Sequence, residues 1–160
     1  MHREPWIHFC GPRDPAAKRA VLDSLTSTGV ATRLFDINGP PSEGIVCFSS
    51  IDEDLYEFVR EVSHNRQKRV LAVPLASAQL DSANAWRLLL AGASDVFRWS
   101  SAAEMAERVK ARLERWRAVD DLLQSPAVEK NLLGSSPAWR SIMRQIVEVA
   151  RFTNAAVLLI

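Results

Sequence analysis

The side chains able to do chemistry are few in this sequence, and they do not gather. Cys10 and Cys47 each lie inside an apolar, strand-like run. Two cysteines are too few for a metal set, and in such runs they are expected as buried, reduced thiols, with a redox pair as the alternative. His2, His8 and His64 show no ligand spacing and read as solvated or structural histidines. The densest acidic group, Asp52, Glu53 and Asp54, stands where a helix is expected to begin. Negative charge is favoured there by the helix dipole; a metal site is the alternative. A glycine-rich phosphate loop, a Gly-x-Ser-x-Gly elbow and a metal set are all missing, so hydrolase or oxidoreductase chemistry lacks its residues. No enzyme activity is therefore expected of these residues, and no metal or cofactor within this chain.

These residues are carried by an alternating pattern over the first hundred positions. Short β-rich runs are followed by longer helical ones, which predicts a parallel sheet with crossover helices. Trp6 to Cys10 reads as the first strand, ended by Gly11-Pro12. Asp14 is the expected N-cap of a helix with Pro15 in its first turn, Val21, Leu22 and Leu25 facing inward and Gly29 closing it. Thr32 to Ile37 is expected as the second strand and Ile45 to Phe48 as the third. Ser50 or Asp52 would cap a helix that buries Leu55, Phe58, Val59 and Val62. Val70 to Leu75, a helix from about Ser82 to Leu90, and Asp95 to Trp99 complete five β-α units. The fold class expected is α/β, a doubly wound five-stranded parallel sheet of flavodoxin-like order 2-1-3-4-5. In such sheets ligands bind at the carboxyl ends of the strands, so Arg13, Ser49, Ser50 and Ser77 are a candidate effector pocket.

Composition supports one compact domain with an extension. The chain has 160 residues, 48% hydrophobic, and a net charge of +1. That near-neutral balance points to neither nucleic acid nor a membrane surface. No apolar run approaches the roughly 20 residues of a membrane helix, and the N-terminus has no signal-peptide core, so the chain is read as cytoplasmic. From Ser101 to Gln124 the sequence becomes a long charged helix. Met105, Val109, Leu113, Trp116 and Leu123 form an apolar seam along it. The sheet edge is expected to cover its first three turns and leave Leu113 onward bare. A homodimer held by this seam follows as an expectation, with Arg98 and Trp99 as further partner-contact candidates; for Trp86 and Trp99 core packing is the first reading and an exposed contact the alternative.

Two stretches resemble known families. The first is Leu132-Leu133-Gly134-Ser135-Ser136-Pro137-Ala138-Trp139-Arg140, followed by Ile142, Met143, Ile146, Val149 and the run Ala155 to Ile160. It resembles the opening of the AAA+ domain in NtrC-type sigma-54-dependent transcription activators, where a leucine-rich turn precedes a helix and the first sheet strand. Ser136 and Pro137 suit the N-cap and first turn of such a helix. The resemblance implies that Leu133 and Gly134 border the adenine pocket, and that the strand would lead into a Walker A loop, none of which lies within the 160 residues. ATP and Mg²⁺, sigma-54 polymerase and DNA are thus implied only for segments beyond this chain.

Residues 6 to about 120 are similar to a response-regulator receiver domain, through the strand rhythm and through Leu90-Ala91-Gly92-Ala93-Ser94-Asp95-Val96-Phe97. In that family two acidic residues after the first strand hold Mg²⁺ and an Asp after the third accepts phosphate. Here the corresponding ends read Phe9-Cys10-Gly11-Pro12 and Cys47-Phe48-Ser49-Ser50, so Ser49 or Ser50 stands at the acceptor position. The family's switch residue falls at Leu75 and its lysine at Trp99. A hard cation needs oxygen ligands, and a serine without a base or metal is a poor nucleophile.

Together these imply a receiver-like regulatory domain over 1-100, a linker and dimerisation helix over 101-130, and the start of an AAA+ domain over 131-160. The function expected is phosphorylation-independent control of an ATPase by protein contact, with itself, its own AAA+ domain and, through other segments, sigma-54 polymerase and DNA as partners. A small-molecule effector-binding sensory domain is the alternative.

Overall fold

The structure, a computed structural model, describes residues 4–12, 14–64, 67–126, 128, 134 and 136–153. Strands β1 (Trp6–Cys10), β2 (Arg33–Leu34), β3 (Gly44–Phe48), β4 (Val70–Pro74) and β5 (Asp95–Val96) form an all-parallel sheet in the order β2-β1-β3-β4-β5. The helices are α1 (Pro15–Ser27), α2 (Glu53–Ser63), α3 (Ser82–Ala91), α4 (Ala102–Leu123) and α5 (Pro137–Phe152). The α/β class and the strand order are those expected from the sequence. By contact density the chain divides into two units, Met1–Lys110 and Ala111–Ile160, so the division falls inside α4 and not before it.

The first unit is organised by the central strands. Every residue of β3 and of β4 is buried, as continuous apolar runs covered on both faces require. Alternation sends Val46, Phe48, Val70 and Ala72 to one face, where they pack with Leu55, Tyr56, Val59 and Val62 of α2 and with Leu88 and Ala91 of α3. Ile7, Ile45, Cys47 and Leu71 point to the other face, on which the right-handed crossover rule places α1 with buried Val21 and Leu25. Each buried Val, Leu, Ile or Phe among them contributes roughly 1.5–3 kcal/mol on leaving water. At the start of β3, Gly44 is required by a close approach: a Cβ there would collide with the indole of Trp6, which lies across it.

Local chemistry sets the helix starts. The Asp14 carboxylate accepts from the Ala16 and Ala17 amides, Asp52 from Leu55 and Asp81 from Asn84. Asp52, not Ser50, is therefore the cap of α2. Phe58 is only half-buried and Tyr56 takes an inward place instead.

Three expectations are corrected. The loop expected at Asn38-Gly39-Pro40-Pro41 is present, within residues 35–43, but because no helix among the described residues joins β2 to β3 the β-α units number four and not five. The edge strands β2 and β5 hold two residues each, because an edge has a hydrogen-bonding neighbour on one side only. Trp99 thus lies beyond β5 and does not close it.

The third correction concerns the seam of α4. Met105, Val109, Leu113 and Trp116 are 1–3% exposed within the single chain, so no bare stripe begins at Leu113; Leu123, also on the seam, is half-buried. In the second unit α5 runs antiparallel to the end of α4. The Glu148 carboxylate lies 3.1 Å from Arg112 and 2.9 Å from Arg115, and Arg144 lies 3.3 Å from Asp120. Met143 is the buried apolar residue of α5. As the sequence suggests, Ser136 caps α5 by accepting from the Trp139 amide, and Pro137 opens its first turn. Gly134, at φ 153°, sits against the Trp139 ring, which a Cβ would strike. Leu133 and the expected strand 155–160 lie outside the described residues.

Candidate functional site

The carboxyl ends of β1 and β3 meet at Gly11, Ser49 and Ser50. Gly11 has φ 95°, and a Cβ there would stand 2.5 Å from the Ser49 hydroxyl and 2.7 Å from that of Ser50. Only glycine permits both the backbone conformation and this approach. The Ser49 amide donates to the Cys10 carbonyl at 3.1 Å, and its hydroxyl faces the carbonyls of Cys10 and Pro12 at 3.4 and 3.5 Å. The Ser50 hydroxyl donates to Asp52 Oδ2 at 3.1 Å, while Asp52 Oδ1 accepts from the Leu55 amide at 2.9 Å.

The carboxylates of this rim are all structural. Asp14, Asp52 and Asp81 follow β1, β3 and β4, and each holds the first turn of the next helix. Among the described residues no three His, Cys, Asp or Glu side chains stand close enough to hold a metal. A receiver's Mg²⁺ does not fit the donors present. Cys10 offers a soft sulfur where a hard, octahedral cation needs oxygen, and the nearest carboxylate already accepts an amide and a hydroxyl. The Ser49 hydroxyl faces only carbonyls, and the Ser50 hydroxyl donates to Asp52, a carboxylate that also holds the first turn of α2.

The thiols are equally quiet. Register pairs Cys10 with Phe48 and Phe9 with Cys47, so the two cysteines are one step out of phase and point to opposite faces of the sheet. Side chains directed apart cannot be bridged. Burial pushes the Cys10 thiol up to about 11, with Asp52 adding to the effect. Burial also raises Cys47, helped by Cys10.

Of the other candidates, Ser77 is exposed on the loop before α3, and Leu75 is buried with its amide donating to Phe48 at 2.8 Å. Arg13 lies outside the described residues. Arg98 is exposed and Trp99 half-buried. Sequence reasoning held Trp86 to be core with an exposed contact as the alternative, and missed Leu90: Trp86 is 62% and Leu90 59% exposed, and their spacing of four was the available signal. It also missed an aromatic cluster in which Phe35 lies 4.8 Å from Trp6 and 5.4 Å from Phe58, with His8 stacked 4.4 Å from Phe58. Burial among these rings, and then Lys18, lowers the His8 pKa.

No protein-family model matches the chain, and no curated protein or solved structure is significantly similar to it. No helix among the described residues is long and apolar enough to cross a membrane. Fold and rim geometry are therefore what bear on function.

Proposed function

We propose that this chain is the signal-input part of a sigma-54-dependent transcription activator: a receiver-like domain that works without phosphorylation and controls an AAA+ ATPase by protein contact. The observation that carries the reading is the rim of the 2-1-3-4-5 sheet. Serines whose hydroxyls face carbonyls and a capping carboxylate stand where phosphotransfer would need an acceptor, and the nearby acids hold helix ends. The exposed Trp86 and Leu90 supply apolar surface for a contact-based mechanism. The capped, proline-initiated α5 supports the AAA+ part of the reading, together with the Leu-Leu-Gly-Ser-Ser-Pro resemblance. ATP hydrolysis, polymerase contact and DNA binding belong, in this reading, to segments outside the 160 residues.

The test is beryllium fluoride with Mg²⁺, followed by NMR of the amides around Ser49. No saturable shift is expected; a saturable, fluoride-dependent one overturns the phosphorylation-independent reading. Removing residues 1–110 from the intact activator should change its ATPase rate, and an unchanged rate overturns the regulatory role.

A further inference from the structure

We draw no further inference here: the strongest candidate, the outward apolar surface of α3 at Trp86 and Leu90, carries nothing because nothing in the structure shows what covers it.

Discussion

Arg112 and Glu148 meet at 3.1 Å across the two helices of the second unit, with side chains only 22% and 20% exposed. Arg115 approaches the same carboxylate and also stacks on Phe152, 4.5 Å from its ring centroid. One acid thus holds two guanidiniums that would otherwise repel, beside the buried Leu113, Trp116 and Val119. The apolar seam of α4 is consumed inside the chain, and the expected homodimer through it loses its basis.

Trp116→Ala should accordingly destabilise the α4–α5 hairpin by about 3–5 kcal/mol, the usual range for emptying a large aromatic site. Hydrogen exchange on α5 would report it as lost protection, with the amides of β3 and β4 unaffected. A variant that leaves α5 protected would show that the seam is not packed within the chain. Glu148→Gln should weaken the same element by about 1–3 kcal/mol.

Gly11→Ala tests the rim. It forces a left-handed φ on a residue with a side chain and drives that side chain into Ser49 and Ser50, so a loss above about 1 kcal/mol is expected in urea melts. Adding Ser50→Gly should recover part of the loss by relieving the clash but not the strain. No recovery would mean that the approach of the two serines is incidental.

Asp52→Ala should cost about 1 kcal/mol through the uncapped α2, and Asp52→Asn only a few tenths. Neither change should depend on Mg²⁺. A Mg²⁺-dependent difference between the native chain and the Asp52→Asn variant in thermal unfolding would contradict the capping role.

The thiols make a pH prediction. Cys10 is raised to about 11 in the folded chain from an ordinary value near 9.0, so the folded state binds that proton more tightly than the unfolded state. Its contribution to stability is complete below about pH 9 and lost progressively as pH rises to 11. Iodoacetamide at pH 8 should modify Cys10 at least about tenfold more slowly in the folded chain than in urea, and Cys47 more slowly still. Equal rates, read by mass spectrometry, would refute the buried-thiol geometry.

The parts of the fold legible in the sequence are those decided locally. The apolar runs of β3 and β4 announce strands buried on both faces, and Asp14, Asp52, Ser136 and Pro137 mark helix starts because capping involves only neighbours within three residues. Quantities set by distant chain are not legible. The run from Thr32 to Ile37 reads as a full strand, yet its pairing with β1 covers Arg33 and Leu34 and ends on the bond from the Phe35 amide to the Ile7 carbonyl. Leu113 and Trp116 read as bare because the helix that lies beside the end of α4, joined to it by Glu148 on Arg112 and Arg115, arrives some thirty residues later. Trp86 reads as core because tryptophan usually is. Of the candidate site, the missing acids after β1 and β3 can be read directly, whereas the close approach of Gly11 to Ser49 and Ser50 exists only once β1 and β3 have paired.

The three aspartates that cap α1, α2 and α3 are committed to helix starts, and serving a cation would cost each of them that role. Re-aiming Asp52 towards a cation would abandon the Leu55 amide and uncouple the Ser50 hydroxyl, undoing a helix start before any ligand was gained. Building an oxygen-ligand metal site on this rim would require new carboxylates at Cys10 or Gly11 and an acid at Ser49, several substitutions with no benefit singly. At Gly11 the backbone itself refuses a side chain.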